Sequence, residues 1–388
     1  MTNPLTRSQP EPLNPPLGQS VDAIDTPALV IDLDAMERNL ERLAEFAKQQ
    51  GLRWRPHAKM HKSAALARLQ MRAGAVGVCV QKTAEAERLA AGGVHNIYIS
   101  NEVIALGKLQ RVAALAQTLA GLGGQLAIAV DSLEGVRRLA SAVRGRSALI
   151  DVFVELDVGQ GRCGVAPGEA AVVLAQEIRR HAQLRFAGLQ AYHGKAQHLR
   201  SAQQRREAIA QVVADVVRTR KLIEAAGLTV SLITGAGTGT FALEAASGVY
   251  GELQPGSFLF MDGDYAQNEP DPAQPQFEHA LFVKTQVIST ASDHAVCDAG
   301  HKSHAIDSGL PRVHGLELDY SNGGDEHGIV RAARPGARLP ALGDTLWLIP
   351  GHCDPTVNLH DQLIGVRGGL QRGTVEQIVR VDARGALT

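Results

Sequence analysis

Three stretches of this chain carry residue types at spacings that can do chemistry. The first is Arg53-Trp54-Arg55-Pro56-His57-Ala58-Lys59-Met60-His61-Lys62. A lysine flanked by cationic His57, His61 and Lys62 is expected to have its amine pKa depressed by like charge and partial desolvation. Only a neutral amine attacks a carbonyl, so Lys59 is a candidate for Schiff-base chemistry. A basic surface loop is the alternative reading. The second stretch is Thr234-Gly235-Ala236-Gly237-Thr238-Gly239-Thr240, after the apolar run 230–233. Glycines at alternate positions let backbone N–H groups converge on a phosphate, and the Thr238 and Thr240 hydroxyls add donors. The spacing matches neither the dinucleotide fingerprint nor the P-loop, and a tight structural turn is the alternative. Gln254-Pro255-Gly256-Ser257 offers a second donor loop after the next strand candidate.

The third stretch is Pro350-Gly351-His352-Cys353-Asp354-Pro355-Thr356. In an extended chain, positions two apart share a face. His352 and Asp354 can then grip one divalent ion and leave positions open for water and substrate. Imidazole with carboxylate suits manganese, magnesium or zinc without choosing among them; a plain surface turn is the alternative. Cys353 is expected to point away as a packed thiol. His360 and Asp361 are either outer partners of the ion or a solvated loop. Two smaller clusters follow apolar runs: Gly159-Gln160-Gly161-Arg162-Cys163-Gly164 and Ala191-Tyr192-His193-Gly194. Arg162 can meet a cofactor's phenolic oxygen and His193 a substrate hydroxyl; a salt-bridged arginine and a satisfied histidine are the plainer readings.

Residues this far apart need a scaffold that gathers them. Strand candidates occur at 28–31, 77–80, 96–100, 126–130, 150–156, 186–192, 230–234 and 252–253, alternating with helical patterns such as 33–50. About eight units of similar length fit a (β/α)8 barrel better than an open sheet. Barrel chemistry sits at the C-terminal ends of the strands, and the late strands commonly bind phosphate. Lys59 falls where the second barrel strand should end. The alternation stops near Asp264; beyond it, 281–288, 294–298, 345–349, 363–366 and 375–381 are β-rich with almost no helical periodicity. The expected organisation is an N-terminal arm (1–20, proline-rich), a barrel (21–264) and a C-terminal β-domain (265–388).

A chain of 388 residues suits a barrel-sized domain plus a smaller one. A net charge of -1 recommends neither nucleic acid nor an anionic membrane as partner. The apolar runs are too short to span a bilayer. Four cysteines are scattered with no CxxC pair, and no basic-then-apolar signal segment opens the chain. Reduced thiols in a cytoplasmic protein are the expectation.

Taken together, these motifs resemble the D-threonine aldolase family, pyridoxal-phosphate enzymes with a fold like alanine racemase. The resemblance runs from Asp25-Thr26-Pro27 almost to the C-terminus. It rests on Arg55-Pro56-His57-Ala58-Lys59, Gly159-Gln160-Gly161-Arg162-Cys163-Gly164-Val165, Gln190-Ala191-Tyr192-His193-Gly194, the 234–239 loop, Met261-Asp262, Asp264-Tyr265, Asp325-Glu326-His327-Gly328 and His352-x-Asp354-Pro355-Thr356. It implies that Lys59 carries pyridoxal 5'-phosphate, that Tyr192 and Arg162 hold its ring, and that Gly237, Thr238, Gly256 and Ser257 bind its phosphate. Gln254 would face the pyridine nitrogen, where alanine racemases carry arginine. His352 and Asp354 would ligate the metal, and His193 would be the base. The implied assembly is a homodimer with residues of both subunits around each site.

The implied reaction is retro-aldol cleavage of a D-3-hydroxy-amino acid to glycine and an aldehyde. A dehydratase of D-serine or 3-hydroxyaspartate is the runner-up, but such relatives usually carry Cys where this chain has Asp354. A racemase, which needs no metal pair, and a non-catalytic cofactor carrier are weaker alternatives. Three departures are visible. Ala236 stands where many relatives have glycine and is expected to be harmless. Lys195, two residues past His193, can bear on substrate choice, as can His301 and Lys302.

Overall fold

The computed structural model describes residues 16–388; of the arm expected over 1–20, residues 1–15 lie outside the described ones. Two sheets form among the described residues. The first contains eight parallel strands: Arg53–Trp54, Val78–Val80, Asn96–Ile99, Gln125–Val130, Ile150–Glu155, Leu184–Ala191, Leu232–Gly235 and Glu252–Leu253. From Val78–Val80 onward each pairs with its neighbour in sequence, and the last strand pairs with Arg53–Trp54. Between the first two strands, Val76 N donates to Trp54 O at 3.0 Å and Cys79 N to Pro56 O at 2.9 Å. These bonds draw the sheet round into the expected (β/α)8 barrel.

The strands from Val78–Val80 to Leu232–Gly235 are largely apolar because both faces are covered. Outside, valine, isoleucine, leucine and alanine side chains pack against amphipathic helices such as Leu106–Gly121 and Leu133–Val143. Inside, Cys79, Tyr98, Ala127, Ala129 and Phe153 form a separate small core. The Tyr98 hydroxyl satisfies itself there by donating to Gln190 Oε1 at 3.0 Å.

The second sheet contains nine mostly antiparallel strands among the described residues and corrects one expectation. Ala28–Asp32, expected to open the barrel, lies instead between Leu281–Thr290 (antiparallel) and Gln362–Arg367 (parallel). Its apolar run announces a strand buried on both faces, but such a run does not name its partners. The barrel therefore begins at Arg53–Trp54, and Lys59 follows its first strand. The short strands Arg312–Val313, Leu318–Asn322 and Gly328–Ala332 gave no clear pattern in the sequence because only every second residue or fewer is buried. Phe241, Phe258 and Phe260 belong to the core that joins this sheet to the barrel. Among the described residues no helix is long and apolar enough to cross a membrane.

Candidate active site

The strand Arg53–Trp54 ends in a single 3-10 turn, Ala58–Met60, capped by His57, whose ring nitrogen accepts from Lys59 N at 3.4 Å. The turn presents Lys59 half-exposed, with Nζ 2.6 Å from Asp354 Oδ2. Lys62, by contrast, is buried, bonds Glu85 Oε1 at 2.6 Å, and adopts a left-handed backbone with φ 52°. Of the two lysines in the motif, Lys59 alone is free of a structural partner inside the barrel wall.

The charge environment of Lys59 is the reverse of the one expected. The Asp354 carboxylate raises its pKa, and burial only partly opposes that effect. Burial pushes His57 well below the ordinary imidazole value, and pushes His61 down to about 4. Lys62 is ion-paired with Glu85. The like charges invoked to depress Lys59 are therefore absent or paired, and the nearest ion is an anion.

The two glycine loops meet beside this turn. His57 N donates to Pro255 O at 3.2 Å, and a Cβ at Gly256 would lie 3.2 Å from that of His57. Phe258 N donates to Thr238 Oγ1 at 3.1 Å, tying the 254–258 loop to the 235–240 loop. A side chain at Gly237 would strike Gln197 Oε1 at 2.6 Å. Among the described residues, the N–H groups of Gly237, Thr238 and Gly256 donate to no protein acceptor. Free N–H groups in loops where Gly237 and Gly256 place no Cβ against their neighbours suit a phosphate. Ser257 is buried at the start of the next turn. Ala236 sits at φ 72°. Its expected harmlessness is corrected: left-handed backbone costs a residue with a Cβ roughly 1–2 kcal/mol, whatever its size.

The guanidinium carbon of Arg162 lies 5.9 Å from the centre of the Tyr192 ring, and its Nη2 lies 3.7 Å from Glu155 Oε1. Tyr192 is close enough to Lys59 and Arg162 for both to oppose the upward pull of burial on its phenol. Glu155 is pushed up to about 8 by burial and the facing Glu102 carboxylate. Glu102, Asp131 and Cys163 have potential ligand atoms within 4.8 Å of one another behind Arg162; Asp131 already accepts from Gly164 N at 3.2 Å. Gln254 turns inward. Its Nε2 donates to Gln190 Oε1 at 2.9 Å and Thr234 Oγ1 at 2.7 Å, and its Oε1 accepts from Gln190 at 3.2 Å.

His352 and Asp354 do face one space, but not as an extended stretch. His352 caps the short helix Cys353–Val357, and Asp354 lies in its first turn. Aspartate followed by proline is favourable in a first turn, since the dipole welcomes the acid and the missing proline N–H costs nothing there. His352 Nε2 is 3.8 Å from Asp354 Oδ1, and that buried oxygen has no hydrogen-bond partner. An orphaned carboxylate oxygen beside an imidazole nitrogen fits a divalent cation. Burial lowers the His352 pKa, but Asp354, then Asp307 and Asp262, raise it further than burial lowers it. Cys353 is fully buried, with Sγ 3.4 Å from Met261 O. Asp262 lies beneath, accepting from Cys353 N at 3.2 Å and Tyr265 N at 3.0 Å. His360 bonds Ser303 O at 2.8 Å and Asp361 bonds Arg384 at 2.7 Å, so both serve the surrounding loops.

His193 lies over the 159–164 loop, where a Cβ at Gly159 would be 2.9 Å from its Nε2; its Nδ1 is buried without a partner. Burial lowers its pKa, with Asp157 opposing. Lys195 reaches the same loop, its Nζ 4.0 Å from a Cβ built on Gly161. His301 and Lys302 are engaged elsewhere, with Asp325 at 3.1 Å and Glu326 at 2.7 Å respectively. Sequence reasoning missed Asp307, whose Oδ2 is 2.7 Å from His352 Nδ1, because 45 residues separate the pair and nothing local marks it.

Comparison with known proteins agrees with this fold. Residues 31–264 match the family model described as "Alanine racemase, N-terminal domain", and residues 280–366 match the "Putative serine dehydratase domain". A D-threonine aldolase of an Arthrobacter species is 43% identical over 378 residues, covering 97% of this chain and 96% of that protein. A 3-hydroxy-D-aspartate aldolase of Paracoccus denitrificans is 41% identical over 375 residues, covering 95% and 94%. The crystal structure of D-threonine aldolase from Filomicrobium marinum superposes with a TM-score of 0.92 at 45% identity, covering 96% of this chain and 99% of that one.

Proposed function

The chain belongs to the D-threonine aldolase family, and from that premise we propose that its pocket cleaves D-3-hydroxy-amino acids by a retro-aldol reaction, giving glycine and an aldehyde. One observation carries the reading. The Lys59 amine lies 2.6 Å from Asp354, whose other oxygen is buried and unpartnered beside His352. A cofactor-bearing amine and a metal pair thus border one space, which a substrate with both an amino and a hydroxyl group can span.

In this reading Lys59 carries pyridoxal 5'-phosphate, the N–H groups of Gly237, Thr238, Gly256 and Ser257 hold the phosphate, and Arg162 and Tyr192 flank the ring. Gln254 supports this layer through Gln190 and Thr234. Bound pyridoxal phosphate supplies the electron sink for the Cα–Cβ bond that breaks. His352 and Asp354 hold a divalent ion, with manganese the first candidate, and such an ion contributes Lewis acidity towards the substrate hydroxyl. His193, kept neutral by burial, takes the hydroxyl proton. The sequence 350–356 carries aspartate, not cysteine, at 354, and the relatives above 40% identity are aldolases, which favours C–C cleavage over dehydration. Four free thiols suit a cytoplasmic protein, and exposed Ile306, Leu310 and Leu316 suit a homodimer.

Incubation with D-threonine, assayed for glycine, pyruvate, 2-oxobutyrate and L-threonine, tests the reaction. Glycine alone is expected; 2-oxobutyrate would make the protein a dehydratase and L-threonine a racemase. The same assay addresses substrate choice. Lys195→Met should lower kcat/KM for D-configured 3-hydroxyaspartate by roughly 10–150-fold, the worth of a charged hydrogen bond to a carboxylate. D-threonine, with a methyl in that place, should be unaffected. An equal change for both substrates removes Lys195 from recognition.

His193→Ala should lower kcat by about 10²–10⁴-fold, the scale of a lost general base. KM should change little, because the amine and metal pair still anchor the substrate. Turnover within a few-fold of wild type would assign the proton to another group.

A further inference from the structure

We propose that Asp307 is a positioning residue for the metal, accepting the Nδ1–H of His352 and so fixing the imidazole tautomer whose Nε2 is free to ligate beside Asp354. The inference rests on His352 and Asp354 being the metal pair. The two ring nitrogens of His352 have different surroundings. Nδ1 lies 2.7 Å from Asp307 Oδ2, and Nε2 lies 3.8 Å from Asp354 Oδ1, the oxygen without a hydrogen-bond partner. A neutral imidazole has one N–H to give. A proton on Nδ1 has an acceptor waiting at hydrogen-bond distance, and the lone pair then falls on Nε2, on the side of Asp354. A carboxylate accepting from the far nitrogen of a ligating histidine fixes the ring and raises its basicity as a ligand.

The loop that carries Asp307 is fastened to the ligand segment at several points. Ala305 N donates to Thr356 Oγ1 at 3.0 Å, and His360 Nε2 bonds Ser303 O at 2.8 Å. The close approach depends on Gly351, where a Cβ would sit 2.2 Å from Gly309 O. Asp307 also accepts from its neighbour Ser308 Oγ at 3.2 Å. Among the described residues its ion-pair partner is His352 and no lysine or arginine pairs with it. Its side chain is half-exposed, so the core does not depend on it, and the placement serves the histidine.

The test is a Mn²⁺ titration of the purified holoenzyme, with free Mn²⁺ read by electron paramagnetic resonance. Asp307→Ala should raise the Mn²⁺ dissociation constant about 10–100-fold, the usual cost of losing such a partner. Asp307→Asn should raise it less, because the amide oxygen still accepts from Nδ1. Cofactor absorbance should be unchanged in both variants, and kcat should recover at saturating Mn²⁺. His352→Ala serves as the reference. If it loses Mn²⁺ while Asp307→Ala binds within twofold of wild type, the role of Asp307 is overturned and the metal pair stands. If His352→Ala binds Mn²⁺ like wild type, the metal pair itself falls, and the role of Asp307 with it.

Discussion

Lys59→Ala should yield a folded protein without turnover, down by about 10⁴–10⁶-fold, the scale on which enzymes lose rate when a covalent participant is removed. The fold should survive because Lys59 is half-exposed and, among the described residues, its ion-pair partner is Asp354. No neighbour can substitute. Lys62 is three residues on, but it is buried on left-handed backbone with its amine held by Glu85 at 2.6 Å. Lys59→Arg separates charge from covalency: it keeps a cation beside Asp354 but offers no primary amine, and it should be as inactive as the alanine variant. Borohydride reduction of native protein loaded with pyridoxal 5'-phosphate, followed by peptide mapping, checks the assignment directly. Label on any lysine other than Lys59, or substantial activity in Lys59→Arg, would refute it.

Removal of the metal should cost roughly 10³-fold or more, since a Lewis acid is worth several kcal/mol in such a transition state. His352→Ala should reproduce the loss without chelator. In both cases the cofactor absorbance should remain, because the phosphate loops and Lys59 do not depend on His352. Asp354→Asn should differ: it removes the proposed ligand and also the anion that raises the Lys59 pKa, so it should disturb cofactor and metal together. Exhaustive dialysis against EDTA, with metal content verified as nil and cofactor occupancy measured, is the decisive condition. Undiminished turnover there would exclude a metal role for His352 and Asp354.

Much of the molecule could be read from consecutive residues. The 234–240 and 254–257 loops stood out as candidates because closely spaced glycines mark backbone that comes near other groups: a Cβ at Gly237 or Gly239 would lie 2.6 or 2.5 Å from atoms of Gln197. The barrel strands from Val78–Val80 to Leu232–Gly235 were legible because an apolar run between helical patterns is a local signal of a strand covered on both faces. The pairing of Lys59 with Asp354 was not legible, although both motifs were identified, because 295 positions separate them and only the joining of barrel to second sheet sets them 2.6 Å apart.

Consecutive residues were enough to predict the barrel and to single out Lys59, His352, Asp354 and the two glycine loops as candidates for the chemistry. Tertiary structure decided which sheet takes Ala28–Asp32, since hydrogen-bonding edges at Leu281–Thr290 and Gln362–Arg367 exist only after the chain returns. It also decided the charge at Lys59, because burial keeps His57 and His61 neutral and a distant aspartate supplies the nearest ion. Asp307 belongs to the same class. Backbone conformation follows from neighbours along the chain, whereas electrostatics follows from neighbours in space, and in this fold those neighbours stand tens to hundreds of residues away.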